Sequence, residues 1–282
     1  MGKNAPDHEG SSASGRMHRV LELLETRDAV TVTELAHAFA VSEVTVRSDL
    51  GLLARQGLVA RIRGGARALQ RGQSEVAFDV RLRVQEDAKR VIARAAALMV
   101  GDGEAIALDS STTAFYIALE LREKQELVVV TNGLRVATAL ADAPGVSVIV
   151  PGGVLRLAAM SLVGDFASGV LRTTSIGKGF FGARGVSLER GLMDLNPEEV
   201  RIKREMADVC ERVIGVFDHT KWRRSALLSF VPTQRIGAIV TDAQAPAELL
   251  DEWRERDVEV VAAQLGTTLA ASQLEVVAYT TA

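Results

Sequence analysis

The chain has 282 residues, 48% of them apolar and 24% charged, with 24 glycines, 6 prolines, a single cysteine and a net charge of −3. Roughly 100 to 200 residues per domain leaves room for two, each able to bury a core. The balance excludes a uniformly basic nucleic-acid binder, the lone Cys210 excludes an intramolecular disulfide, and no uncharged apolar run of about 18 residues exists to span a bilayer.

Residues 1–15 are rich in Gly, Ser and Asn and lack the apolar centre of a signal peptide; a flexible tail on a cytoplasmic protein is expected. From Arg16, the residues Met17, Val20, Leu21 and Leu24 recur at the spacing of an amphipathic helix. Thr31 to Thr33 offer a cap for a second helix ending near Phe39, with Leu35, Ala36 and Phe39 inward. Ser42 can cap a third, whose Val46, Leu50 and Leu53 share a face turned to the other two.

The opposite face of that third helix carries Val44 and Ser48, flanked by Thr45 and Arg47, in position to meet base edges or phosphates. Gly57 is expected to end the helix, and Leu58 to Ile62 followed by Gly64-Gly65 reads as a strand entering a tight hairpin, a wing tipped by Arg61 and Arg63. Between Arg47 and Arg71 there are six arginines against one acid, Asp49, so positive charge is concentrated on this motif. Alone, Arg61 and Arg63 would read as solvated hairpin charges; beside such a helix they read as phosphate contacts.

These elements define a DNA-binding head over residues 16–70, a linker over 71–79 and a second domain over 80–282. A long helix is expected from Val80 to Met99, with Val84, Ala88, Val91, Ile92 and Ala95 on one side. Beyond it strands and helices alternate. Ala105–Leu108, Leu127–Val130 and Val146–Val150 are strand-like; Thr113–Lys124 and Leu134–Ala141 are helical. Further strands are expected at Gly179–Gly182, Val213–Phe217, Gly237–Val240 and Val258–Val261, with helices at Glu198–Glu211 and Ala247–Arg254. This alternation predicts an α/β chain with a Rossmann-like parallel sheet behind a winged helix-turn-helix.

The run Val41-Ser42 with Thr45-Val46-Arg47-Ser48-Asp49-Leu50, then Arg61 and Gly64-Gly65-Ala66, resembles the DeoR family of bacterial transcription regulators, which carries V-S-x-x-T-[IV]-R-R-D-L and R-x-x-G-G-A. The likeness extends from Met17 to Asp242. Asp109-Ser110-Ser111-Thr112-Thr113, Thr131-Asn132-Gly133, Gly152-Gly153, Phe180 to Gly185, Lys203-Arg204 and Asp218-His219-Thr220-Lys221 follow in the order of that family's sensor domain. That domain is similar to ribose-5-phosphate isomerases and CoA transferases, and the resemblance implies a phosphorylated sugar as effector. Three positions depart from the pattern: Ser48 for the second arginine of R-R-D-L, Ser111 for a glycine, and Gly177 where an acid often precedes the strand at Phe180.

The chemistry of these loops fits an anionic ligand. A short loop entering a helix offers free amides and a favourable dipole to phosphate, and loops at the carboxyl ends of parallel strands converge on one crevice. The effector candidates are therefore Asp109, Ser110, Ser111, Thr112, Thr113, Thr131, Asn132, Gly152, Gly153, Lys203, Asp218 and Lys221; the DNA candidates are Ser42, Val44, Thr45, Arg47, Ser48, Arg61, Arg63, Gly64 and Gly65. Plainer readings stand beside them: a helix cap at Ser111, an Asn-Gly turn at Asn132, a surface Lys221, and Lys203 paired with Glu199 one turn away.

The four histidines have no metal-ligand spacing, G-x-S-x-G is absent, and the glycine pairs lack a dinucleotide fingerprint; no metal, cofactor or catalytic residue is expected. Cys210, beside Val209 and Val213 on the expected helix, reads as a buried inert thiol. The reading is a sequence-specific repressor of a carbohydrate operon, acting on operator DNA as a homo-oligomer, dimer or tetramer. The alternatives are a sugar-phosphate isomerase with a DNA-binding appendage, and an activator.

Overall fold

The computed structural model describes residues 13–27, 29–55, 59–68, 77–265 and 274–278. The chain divides into two compact units, Met1–Val80 and Arg81–Ala282, each with its own core.

The first unit contains α1 (Ala13–Thr26), β1 (Ala29–Thr31), α2 (Val32–Phe39), α3 (Glu43–Arg55), β2 (Val59–Ile62) and β3 (Gly65–Ala68). Both expected caps form. Thr31 Oγ1 accepts from the Glu34 N–H at 3.2 Å, and Ser42 Oγ from the Thr45 N–H at 3.1 Å, satisfying amides that a helix start leaves orphaned. Val20 and Leu24 of α1, Leu35 of α2, and Val46, Leu50 and Leu53 of α3 close on one another with Val59 and Ala66 from the wing. The Gly57 cap and the start of the wing strand at Leu58 lie outside the described residues, as do 69–76 of the connection.

One strand was not legible in advance. β1 pairs antiparallel with β3, giving a three-stranded sheet in the order β1-β3-β2. This explains Gly65, which is buried: a Cβ there would lie 2.1 Å from the Val30 carbonyl oxygen. Gly64, at φ +79°, makes the wing turn, a backbone that glycine adopts without penalty.

The helix expected from Val80 to Met99 is broken. α4 (Phe78–Arg83) crosses the division between the units, and α5 (Glu86–Leu98) starts afresh after Val84-Gln85. Gln85 sits at φ +50°, where a non-glycine residue ends a right-handed helix.

The second unit continues with β4 (Ala105–Leu108), α6 (Thr112–Glu120), β5 (Leu127–Thr131), α7 (Leu134–Leu140), β6 (Val146–Ile149), β7 (Val154–Arg156), β8 (Ser161–Val163), α8 (Ala167–Leu171) and β9 (Ile176–Phe181). There follow β10 (Gly185–Ser187), β11 (Gly191–Asp194), α9 (Pro197–Asp208), β12 (Cys210–Val216), β13 (Leu228–Val231), β14 (Ile236–Asp242), α10 (Ala247–Arg254), β15 (Glu259–Leu265) and β16 (Leu274–Ala278). Eight strands form the main sheet in the order β16-β15-β14-β12-β9-β4-β5-β6, all parallel to their neighbours except β16, which runs antiparallel to β15.

The chain leaves β4 for β5 and β6 on one side and returns to β9 on the other, so the order reverses at the β4–β9 pair. At such a switch point the loops after the two strands part and leave a crevice at their carboxyl ends. Two further features of this unit differ from expectation. Gly177 lies inside β9 rather than ahead of its strand. α9 stops at Asp208, so Cys210 opens β12 instead of lying on a helix.

Candidate functional site

On α3 the inward stripe of Val46, Leu50 and Leu53 is almost fully buried, whereas Val44 is 72% exposed and Ser42, Arg47 and Ser48 are exposed with it; Thr45 is half-buried. The Ser42 and Thr45 hydroxyls are 2.8 Å apart, which anchors the start of the helix. Glu43 accepts from Arg47 at 2.6 Å and from the Thr33 hydroxyl at 2.8 Å, so Arg47 is pre-positioned along the helix surface. Arg61, Arg63 and Gly64 are exposed on the wing, but Gly65 is not and serves β-pairing instead. Asp49, the one acid of the arginine-rich stretch, turns inward to Arg16. The exposed face is thus apolar and hydroxylic at the centre and cationic at the wing, as a duplex groove requires.

In the second unit the loops after β4, β5 and β9 meet at the switch point. Asp109, following β4, is fully buried; its Oδ1 accepts the Ser111 N–H at 3.0 Å and its Oδ2 the Gly182 N–H at 2.9 Å, Gly182 following β9. Lys203 of α9 places Nζ 3.0 Å from Asp109, 2.8 Å from Asp194 and 3.1 Å from the Gly182 carbonyl oxygen, above the Phe230 ring. An ammonium has three donors, and all three are taken inside the protein. Burial would lower the Lys203 pKa, but Asp109, Asp194 and Glu199 outweigh it and raise it. Burial would likewise raise Asp194, and the charges of Lys203 and Arg184 hold it below the usual range instead. Lys203 therefore ties loops together; its partners are the two aspartates and not Glu199.

Glu199 organises a second cluster. Its Oε2 accepts from Ser110 Oγ at 3.2 Å and Asn132 Nδ2 at 3.5 Å; its Oε1 accepts from Arg156 at 2.7 Å and from Ser161 Oγ. Thr131, at the end of β5, accepts the Gly133 N–H at 3.0 Å, which shapes the turn carrying Asn132. Asn132 is 1% exposed, and its Oδ1 has no hydrogen-bond partner. A buried acceptor without a donor costs about 1–3 kcal/mol, a cost that a ligand hydroxyl would remove.

Ser111 caps α6 by accepting from the Ala114 N–H at 3.1 Å, and Thr112 and Thr113 are buried in its first turn. Gly152 and Gly153 belong to the approach to the β7–β8 hairpin; at Gly153 a Cβ would meet the Val163 carbonyl oxygen at 2.4 Å, a steric reason unrelated to a ligand. The same hairpin contributes Arg156 and Ser161 to the Glu199 cluster.

Asp218, following β12, accepts the Thr220 N–H at 3.0 Å, and Lys221 lies 3.8 Å from its Oδ2. Burial would raise the Asp218 carboxyl, but Lys221, the Thr220 hydroxyl and Lys89 together depress it.

Sequence reasoning took Glu199 only for a partner of Lys203, and missed Asp194, Arg156, Ser161 and Lys89. A signal for Glu199 was present: it shares one helical stripe with Lys203 and Met206, so a carboxylate and an ammonium stand on the buried side of α9.

A three-helix head with a wing, followed by a parallel-sheet unit with a polar crevice, defines a two-part DNA-binding regulator. A family model described as a DeoR-like helix-turn-helix domain matches residues 16–71, and one described as a DeoR C terminal sensor domain matches 84–243. The chain belongs to the DeoR family of transcription regulators. It is 36% identical to a protein named as an aga operon transcriptional repressor in Escherichia coli O157:H7, over 89% of this chain and 94% of that one. With HTH-type transcriptional regulator GolR of Listeria innocua the identity is 30%, over 88% and 98%. With the glycerol-3-phosphate regulon repressor of Escherichia coli K12 it is 29%, over 87% and 97%. Ribose 5 phosphate isomerase A from Neisseria gonorrhoeae gives a TM-score of 0.37 at 15% identity, over 48% of this chain and 52% of that one, too slight a likeness to bear on function. Among the described residues no helix is long and apolar enough to cross a membrane.

Proposed function

We propose that this protein represses a carbohydrate-metabolism operon from the cytoplasm, binding its operator through α3 and the wing and releasing it in response to a phosphorylated sugar. The observation that carries the reading is the exposed α3 face of Val44, Arg47 and Ser48 above a fully buried Val46-Leu50-Leu53 stripe. The head is assigned to 16–70, the connection to 71–79 and the sensor to 80–282. Ser42, Val44, Thr45, Arg47, Ser48, Arg61, Arg63 and Gly64 are assigned to DNA. One head covers one half-site, so a two-fold operator calls for at least a dimer.

The effector reading rests on the convergence of Ser110, Asn132 and Glu199 at the carboxyl ends of β4 and β5; Lys221, on the loop after β12, is assigned to a phosphate. Asn132 Oδ1 supplies an acceptor for a sugar hydroxyl. Lys203 and Asp109 act by holding this geometry. The test is fluorescence anisotropy on DNA flanking the protein's own gene, at two salt concentrations and with sugar phosphates added. A salt-sensitive, sequence-selective complex is expected; binding of all duplexes alike would overturn the reading.

A further inference from the structure

The crevice is not the only hollow of the second unit. Another, of about 380 Å³, is walled by the β10–β11 hairpin, Met193 of β11, the segment Trp222–Ser225 and the Leu249 side of α10. It shares no lining residue with the crevice: Asp194 turns to Lys203, while Met193, its neighbour on the strand, lines this second space. Small organic ligands occupy clefts of about 300–1,000 Å³. The floor here is apolar and fixed. Val186, Met193 and Trp222 are buried, and Trp222 is braced edge-on by Phe217 and Trp253, with ring centroids 5.3 and 6.3 Å away. Its indole N–H donates to Thr241 Oγ1 at 3.3 Å.

The rim carries three arginines, Arg190, Arg223 and Arg224, against Glu189 and Glu252. Arg190 is exposed, and its Nη1 and Nη2 donate to the carbonyl oxygens of Ala226 and Leu227 at 3.2 and 2.9 Å. Among the described residues no carboxylate pairs with it. Two of the five N–H donors of a guanidinium are thus spent on fixing its position, and the others, with the whole charge, are left for a partner. Arg223 pairs with Glu248 at 3.8 Å, both side chains being exposed, which makes the pair weak. Its backbone sits at φ +56°, a conformation that costs a side-chain-bearing residue about 1–2 kcal/mol.

We propose that this space is a second ligand site, for a small organic anion with an apolar body: a carboxylate or phosphate monoester in the Arg190 fork, and an aromatic or aliphatic group against Val186, Met193 and Trp222. A guanidinium meets either headgroup through paired N–H···O bonds that are stronger than neutral ones. A sugar phosphate is the wrong occupant, since its hydroxyls would lose water against an apolar floor that returns no hydrogen bond. The second unit therefore has two ligand sites of different chemistry, and this one stands whether or not the crevice takes a sugar phosphate.

The test uses the full chain and the emission of its two tryptophans, of which Trp222 lines the site. The probes are phenyl phosphate, phenylacetate, the neutral phenylethanol, inorganic phosphate and ribose 5-phosphate. At least one of the two aromatic anions should shift the emission saturably, with a dissociation constant below about 1 mM, and the one that does so identifies the headgroup. Phenylethanol and inorganic phosphate should bind at least about tenfold more weakly. R190M should weaken the aromatic anion about tenfold, R190K, which keeps the charge but not the fork, should recover part of the loss, and saturating ribose 5-phosphate should leave the affinity unchanged. No saturable shift, equal binding of phenylethanol, or unaltered binding in R190M would each overturn the site; displacement by ribose 5-phosphate would do so by placing the anion in the crevice. Should R190M not fold, R223A, at an exposed position, carries the same comparison.

Discussion

Arg16 Nε donates to Asp49 Oδ2 at 2.9 Å, joining two residues 33 apart in sequence and both nearly buried. The pair pins α1 to α3, so the helix that presents Val44 and Arg47 is held from behind. Removing one partner of a buried ion pair strands the other charge, at about 3–5 kcal/mol. D49A should therefore lower the unfolding midpoint of the first unit and abolish operator binding at temperatures where the wild type binds. Urea titration followed by far-ultraviolet circular dichroism checks this; an unchanged midpoint would show that the pair contributes nothing.

The wing and α3 should fail in different ways. With Arg61 and Arg63 proposed as phosphate contacts, R61A or R63A should weaken binding about equally on all duplexes and reduce the slope of log K against log salt by about 1. R47A should instead cost about 1–3 kcal/mol on the operator and relax discrimination among related sites. Loss of specificity from R61A, or a pure salt effect from R47A, would exchange their roles.

K203M leaves Asp109 and Asp194 buried without their shared cation, and a loss of about 3–5 kcal/mol is expected at neutral pH. The pH dependence has a definite sign. Asp194 lies below its ordinary value of 3.8 in the folded state, so the stability it contributes is present above that value and lost as pH falls through the lower folded one. Lys203 lies above its ordinary 10.5, so its contribution is complete below 10.5 and lost as pH rises through the raised value. The gap between wild type and K203M should hence narrow on acidification below about pH 4. Unfolding free energies across that range measure it.

Lys89 has the opposite sign to Lys203. Its pKa falls to about 7 from 10.5, chiefly through burial. Between those values the unfolded chain binds a proton that the folded chain lacks, so stability rises with pH across the window and is flat below it. The unfolding free energy of wild type minus that of K89M should climb from about pH 7 toward pH 10. A level difference would mean that Lys89 is solvated in the folded state.

Cys210 should be inert. Burial pushes its thiol up to about 12, against the pull of Arg235, and its Sγ contacts the Met206 carbonyl at 3.1 Å. Ellman's reagent should react slowly with the native chain and at once after denaturation.

What could be read from the sequence divides along physical lines. The head was legible because its signals are local: Thr31 and Ser42 cap, and the stripe of Val46, Leu50 and Leu53 has helical period. The sensor loops were legible because Asp109, Thr131 and Asp218 each end a strongly apolar strand. The break at Gln85 was not, since Val84, Ala88 and Val91 keep the helical stripe across it and the turn depends on Lys89, which donates to the Arg81 and Val84 carbonyls. The β7–β8 hairpin and β10, β11 and β13 have three or four residues each, too few to show alternation. Gly65 looked like a wing residue because the Val30 carbonyl that excludes a side chain lies 35 positions away. Lys203 and Glu199 have the spacing of a surface pair; only the tertiary fold brings Asp109 and Asp194 to the one, and Ser110, Asn132, Ser161 and Arg156 to the other.

A Cβ on Gly182 would lie 2.4 Å from the Ser111 Cβ, so the two loops that flank the switch point touch at these positions. Engineers who wish to retune ligand preference by grafting one loop from a relative will find that position 111 and position 182 must be transplanted together. A chimera that places a bulkier residue at 182 while keeping Ser111 would wedge β4 and β9 apart and detach the Gly182 amide from Asp109.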